Sequence, residues 1–325
     1  MAPPYQRRLF GLLAKIESEY GTDPTPVVGT DGIRLLEAFE PQIPHAFPNL
    51  REDAASGTLG AAKPAPKRGR LITFGGVAEV KGSRATTAYS ASNLPPISPL
   101  LKAAGYSEAV VITGGSESVT YTPADSAHGS CTIWYYWGGK LYKGVGCRVT
   151  GRLMIRPGQQ ARFEFTAQGL LSTAPTETAL GAITSYGAAV APVAVSLGLT
   201  VGAWTPDRYE ELVYDLGARI QRNDGANAAD GVAAFDISDH LPVTQIRALL
   251  TAIATHDPYT DARTPTPRAI AATLGSVQYN RMDLACPQAY VRDPGHAERN
   301  RFAGVDLEFD NPFEGSDPRP TLVFD

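Results

Sequence analysis

The run Cys131-Thr-Ile-Trp-Tyr-Tyr-Trp137, followed by Gly138-Gly139 and then Leu141 onward, constrains this chain more than any other stretch. A β-branched and aromatic segment, a two-residue glycine turn that tolerates positive φ, and a second extended segment together specify a hairpin. Ile133, Tyr135 and Trp137 fall on one face of its first strand, Trp134 and Tyr136 on the other. Bulk on both faces demands cover on both, inside a packed pair of sheets or against another subunit. The second strand runs on as an alternation, with Cys147, Val149, Leu153 and Ile155 facing one way and Arg148, Thr150, Arg152 and Arg156 the other. Pro157-Gly158 suits a type II turn. Beyond it Ala161, Phe163, Phe165 and Ala167 resume the apolar face while Arg162, Glu164 and Gln168 point away.

Composition extends this local reading to the whole chain. Among 325 residues, 32 Gly and 26 Pro with 14 Tyr and 11 Phe favour many short strands joined by turns, a mainly-β fold of sandwich or barrel type. With 29 basic and 33 acidic residues the net charge is −4, so no overall cationic field exists to hold DNA or anionic lipid. The longest apolar stretch, residues 188–204, is broken by Pro192 and interleaved with Ser196, Gly198, Thr200 and Gly202, short of the ~20 apolar residues of a membrane helix. The opening MAPPYQRRLF lacks the apolar core of a secretory signal, which predicts synthesis and folding in the cytoplasm. Three cysteines, Cys131, Cys147 and Cys286, contain no C-x-x-C pair and fit a reducing compartment.

Along the chain, Leu9, Leu12, Leu13 and Ile16 at i, i+3, i+4 and i+7 predict a short amphipathic helix closed by Gly21, with an extended arm as the competing reading. Residues 40–70 lose all periodicity among Pro41, Pro44, Pro48, Pro64 and Pro66 and end in Lys63, Lys67, Arg68 and Arg70. A loop this long is functional or disordered. Residues 71–80 read as a strand. Ser98-Pro99 then reads as an N-cap with proline in the first turn of a helix stopped by Gly105, its buried face formed by Ile97, Leu100, Leu101 and Ala104. Residues 172–192 look like a junction. In the second half strands are expected at 195–201, 212–220, 232–237, 269–274, 280–286 and 305–309. A second helix is expected from Thr244 through Ile246, Leu249, Leu250 and Ile253. The expected organisation is therefore two β domains, 1–175 and 190–325, the second either a repeat of the first or an unrelated β unit.

A search for chemistry finds no G-x-G-x-x-G or G-x-x-x-x-G-K-[ST] phosphate loop. Gly114-Gly-Ser-Glu-Ser118 lacks the closing glycine of a nucleophile elbow and reads as a hairpin loop. Asp125, His128 and Ser130 are close in sequence, whereas triads assemble from distant segments. The five histidines, which include His45, His240, His256 and His296, have no zinc spacing. Asp224, Asn227 and Asp230 miss the pattern of a calcium loop. The basic cluster at 63–70 has no interleaved aromatics for base stacking and reads as an exposed connector. The expectation is no catalysis, no metal and no cofactor.

One phrase carries a family likeness. Leu13-Leu-Ala-Lys-Ile-Glu-Ser-Glu-Tyr-Gly-Thr-Asp-Pro-Thr-Pro26 resembles K-x-E-x-x-Y-G-T-D-P-T-P at the start of tail tube (major tail) proteins of long-tailed bacteriophages, matched by Lys15, Glu17, Tyr20, Gly21, Thr22, Asp23, Pro24, Thr25 and Pro26. Pro99–Gly105, Val119–Pro123, Thr132–Leu141, Gly151–Gly158 and Phe163–Gly169 are similar to that family's helix, strand and two hairpins, in order. The second half is similar only in outline. The resemblance implies a non-enzymatic virion protein made in the host cytoplasm. It would form self-assembled stacked rings whose inner strands join into a β-barrel conducting DNA without binding it, in contact with tail terminator, tape measure and distal tail or baseplate proteins. A trimer with pseudo-sixfold symmetry is expected if both halves share the fold, and a hexamer otherwise. Lys63, Lys67, Arg68 and Arg70 are the expected ring-to-ring contact, Asp306, Glu308 and Asp310 its counter-charge face, and Trp134, Tyr136 and Trp137 a core or subunit contact. A carbohydrate- or receptor-binding β-sandwich using exposed aromatics is the alternative, and a hydrolase would need His128 or His240 beside a nucleophile.

Overall fold

The computed structural model describes residues 10–47, 68–83, 87–187, 189–206, 208–228, 231–299 and 301–325. Strand accounts for 51% of the chain and helix for 5%, so the mainly-β expectation holds. The first half contains β1 (Phe10–Ile16), β2 (Gly32–Ile33), β3 (Leu35–Ala38), β4 (His45–Phe47), β5 (Arg68–Glu79), α1 (Ser98–Ala103), β6 (Tyr106–Val111), β7 (Ser118–Pro123), β8 (Cys131–Trp137), β9 (Lys140–Ile155) and β10 (Arg162–Leu171). Two short strands, β11 (Thr176–Glu177) and β12 (Thr200–Val201), lead into β13 (Tyr209–Asp215), β14 (Ala218–Asp224), β15 (Val232–His240) and β16 (Val243–Leu249). The chain continues through α2 (Pro258–Arg263), β17 (Arg268–Leu274), β18 (Met282–Val291), β19 (Gly295–Arg299), β20 (Phe302–Asp310) and β21 (Thr321–Phe324).

Antiparallel pairing orders the first sheet β1-β8-β9-β10-β5. At its ends β2 pairs with β1 and β3 with β5, so the sheet curls toward itself through residues 32–38 without becoming a closed barrel. Inside the curl Phe74 of β5 stacks on Tyr135 of β8 with ring centroids 5.3 Å apart. The Gly138-Gly139 turn has φ of 53° and 74°, the conformation that pure sequence reading required of it. A second sheet runs β12-β17-β18-β21-β7-β6. Helix α1 lies against β1, β8 and β9 of the first sheet and β6 of the second, with Leu100 and Leu101 fully buried. Its predicted cap is not used: the residue before the helix, Ile97, has no capping side chain, and Ser98 Oγ donates instead to Glu108 Oε2 at 2.6 Å.

The halves are hydrogen-bonded to each other rather than merely packed. Along the same edge of β9 that holds β8, residues 152–155 pair with β13, which continues into β16 and β20. The last strand, β21, inserts between β7 of the first half and β18 of the second. The main apolar core runs from Leu12 to Phe324 and draws on both halves. The expected separation at residues 175 and 190 thus marks a covalent junction and not a gap in the pairing.

Two predicted helices are strands, each for its own physical reason. Leu12, Leu13 and Ala14 are all buried because β1 is covered on both faces, and four apolar residues at helical spacing are equally satisfied by such a strand. In β16, Thr244, Ile246 and Ala248 are buried while Gln245 and Arg247 point out, a period of two. Ile253, assigned to the helix face, is 63% exposed in the following loop. Thr244 caps nothing; its Oγ1 accepts from Asn311 Nδ2 at 2.9 Å. Helix α2 forms later, where Asp257 accepts from the backbone N–H groups of Tyr259 and Thr260. The expected strand at 195–201 shrinks to β12, with Val195 64% exposed.

A continuous core predicts one cooperative transition. Urea unfolding followed by tryptophan fluorescence, which reports Trp134, Trp137 and Trp204, should coincide with loss of far-ultraviolet dichroism. Phe74→Ala should lower stability by about 3–5 kcal/mol without splitting the transition.

Candidate functional site

The residues of the family-like phrase converge on one place. Directly after β1, Glu17 is 7% exposed, and each carboxylate oxygen takes two donors. Oε2 accepts from Gly21 N–H at 2.8 Å and Ser130 Oγ at 2.6 Å; Oε1 accepts from Thr132 Oγ1 at 2.7 Å and Gly146 N–H at 2.8 Å. Gly21 (φ +76°) and Gly146 (φ +60°) can adopt the positive φ that presents their amides. A Cβ on Gly146 would lie 2.6 Å from the Tyr20 ring, so the tyrosine packs against bare backbone. Tyr20 Oη accepts from Phe235 N–H at 2.7 Å, and burial pushes its hydroxyl pKa up to about 12. Asp23 takes Thr25 N–H at 2.8 Å and Trp134 Nε1–H at 3.2 Å.

Arg148 extends the cluster into the second half. Sequence alternation placed it on a polar face, yet it is 7% exposed. Its guanidinium donates to the carbonyls of Phe235 (3.0 Å), His128 (2.8 Å) and Gly129, pairs with Asp236 at 3.6 Å, and lies 5.7 Å from the Tyr20 ring centroid. The β14–β15 hairpin is therefore fastened to the first half by Tyr20 and Arg148 together.

The aromatic hairpin is covered by the chain itself. Tyr135 is enclosed in the main core, its Oη donating to Phe39 O at 2.8 Å, and Trp137 stacks beside it at 6.4 Å. On the opposite face Tyr136, 7% exposed, joins Leu13 and Leu141 in a small cluster covered by Val28, Trp134, Leu180 and Ile183. Leu180 and Ile183 belong to the stretch after β11, and glycine admits them: a Cβ on Gly11 would sit 2.9 Å from Leu180 Cδ2, and one on Gly32 2.3 Å from Ile183 Cγ2. Lys143 Nζ lies 3.9 Å over the half-buried Trp134 ring. These aromatics offer no open platform for a sugar. The cover by Leu180 and Ile183 is not legible in the sequence, where they are two apolar residues within the junction at 172–192.

The expected ring-contact charges fall differently. Lys63 and Lys67 lie outside the described residues. Arg68 and Arg70 belong to β5 rather than to a loop, paired opposite Phe47 and His45 of β4, and Arg70 is exposed. Asp306, Glu308 and Asp310 on β20 are not a free counter-charge face. Asp306 is ion-paired with Arg299, while Glu308 and Asp310 are both ion-paired with Arg292. Their β20 strand neighbours a further ion row, in which Glu211 on β13 pairs with Arg156 of β9 at 2.8 Å and Arg247 of β16 at 2.7 Å.

Catalytic constellations are dispersed by the fold. His128 Nε2 meets Ala124 O at 2.9 Å, Asp125 pairs with Arg319, and Ser130 donates to Glu17, so each of these three neighbours in sequence is engaged by a different partner. His128 and His240 contact edge to face at 5.5 Å, with His240 against Gly105, where a Cβ would lie 2.4 Å from its Nε2. Burial, then the neighbouring His128, hold the His240 pKa below its ordinary value. Residues 114–118 are the β6–β7 loop, Asp224 pairs with Arg222 at 2.8 Å, and Asp230 lies outside the described residues. Among the described residues no group of three or more His, Cys, Asp or Glu is placed to hold a metal, and no helix is long and apolar enough to cross a membrane. No family model matches the chain, and no curated protein matches it.

Glu17→Ala would strand three buried donors and the half-buried Gly21 N–H and should cost about 3–5 kcal/mol in urea unfolding, with Glu17→Gln costing less because one amide oxygen still accepts. For His240 the folded pKa is depressed, so the unfolded state binds the proton first. Stability should fall as pH drops below the ordinary histidine pKa of about 6.5, and His240→Phe should flatten that slope in thermal melts at stepped pH.

Proposed function

We propose that the chain is a structural virion subunit, the major tail tube protein of a long-tailed bacteriophage, assembling as stacked rings that conduct DNA. The observation that carries this reading is the convergence of Glu17, Tyr20, Gly21 and Asp23 on the β8–β9 hairpin and the β14–β15 arm. The phrase that resembles tail tube proteins encodes an internal lock specific to a fold, not a surface that many folds could carry.

Two features suit ring formation. Strand β6 is hydrogen-bonded only to β7 among the described residues, and Val111 (43% exposed) and Ile112 (70% exposed) extend that edge. An unpaired edge with apolar ends is a template for strand addition by a second copy. Element order also recurs: α1 precedes hairpin β6–β7 and α2 precedes hairpin β17–β18, with both hairpins in the second sheet. Two similar units per chain favour a trimer of pseudo-sixfold symmetry, the hexamer being the alternative. The stretch 40–70 is assigned to ring-to-ring contact, although its residues 48–67 lie outside the described residues and 68–70 belong to β5. The reading places the chain in the virion tail, beside terminator, tape measure and distal tail or baseplate proteins, with no catalytic role and no bound cofactor.

Negative-stain microscopy of the purified chain should show rings or tubes of uniform diameter, and a strictly monomeric protein at every concentration would sink the proposal. Ile112→Glu should keep the native dichroism and lose rings; normal tubes from that variant would remove β6 from the interface.

A further inference from the structure

We propose that Cys131 and Cys147 are a redox-responsive pair that closes to a cross-strand disulfide in an oxidising environment, a modification site independent of the tail tube reading. In the pairing of β8 with β9 the two residues are direct partners, at the edge of a register shift between Cys131 and Ile133. Directly opposed Cα atoms in an antiparallel ladder lie about 4.5 or 5.5 Å apart, within the span of about 4.4–6.8 Å that a disulfide bridges. Direct partners project from the same face of the sheet, and both cysteines are fully buried in the main core. Each is a thiol in this structure. Glycines leave room for the sulfur: a Cβ on Gly144 or Gly169 would lie 3.0 or 2.5 Å from Cys147 Sγ. The third cysteine has no such counterpart, since Cys286 of β18 is paired with Ile270.

A low-molecular-weight disulfide such as oxidised glutathione supplies the oxidant. One cysteine thiolate attacks it and releases one small thiolate; the second cysteine thiolate attacks the mixed disulfide and releases the other. Two S–H bonds are lost and one S–S bond joins β8 to β9. The two protons end on the released thiolates, and the two electrons reduce the small disulfide to two thiols. Burial raises the pKa of both cysteines, which keeps thiolate scarce in the closed hairpin, so oxidation proceeds through opening of β8 from β9.

The full chain is incubated with reduced or oxidised glutathione, with and without sub-denaturing urea, then unfolded and alkylated with iodoacetamide for intact-mass and peptide analysis. The reduced protein should carry three alkyl groups, and the oxidised protein one, on Cys286, with a linked peptide pair containing Cys131 and Cys147. Urea should speed the change and dithiothreitol reverse it. Cys286→Ser should still lose both remaining thiols, and Cys131→Ser should lose none as an internal bridge. Three alkyl groups after oxidation in both urea conditions, glutathione adducts that never resolve, or a bridge involving Cys286 would each overturn the assignment.

Discussion

A carboxylate removed from water must be satisfied almost completely, and Glu17 is satisfied by donors from three separate segments. Much of the architecture follows from that requirement. The Gly21 turn, the start of β8 and the Gly146 amide of β9 must all arrive at once, which fixes how β1 meets the hairpin. Gly146 then presents bare backbone to Tyr20, and Tyr20 with Arg148 holds Phe235 on the β14–β15 arm. A defect at one oxygen of Glu17 would therefore be felt in the second half of the chain.

Charge is handled locally across the outer face of the first sheet. Arg156, Glu211 and Arg247 link β9, β13 and β16, and Arg292 and Arg299 engage the acidic residues of β20. Exposed pairs are individually weak, but Glu211 and Arg299 are themselves buried, and the row crosses the boundary between the halves. A net charge of −4 thus says little about which residues remain to meet a partner. Asp306, Glu308 and Asp310 show the same point: each has an intrachain cation, Arg292 or Arg299, close to it in sequence.

Strands with one wet face were legible because their period of two shows in the sequence; β10 alternates throughout, β9 does so only in part, since residues 144–149 with Arg148 among them are all buried, and the glycine turn before β9 adopts positive φ. Strands covered on both faces were not, since β1 presents apolar residues at every phase and mimics a helix. The β16 region failed differently: its buried Thr244, Ile246 and Ala248 were outvoted by Leu250 and Ile253, which turned out to be exposed. The candidate site was legible as a list of residue types in the phrase around Glu17, but its geometry was not. Nothing local to the sequence tells that Ser130, Thr132, Gly146 and Phe235 come to that phrase, because the contacts span separations of 113 to 215 residues.

The placement of β21 has a consequence for the newborn chain. Residues 321–324 lie between β7 and β18, so the second sheet stays divided until almost everything before them has left the ribosome. During synthesis the β6–β7 hairpin waits with both edges unpaired, and its proper neighbour arrives some two hundred residues later. Chains translated side by side on one message would hold many such unfilled slots at once. Until β21 fills it, each such slot is open to another chain's strand.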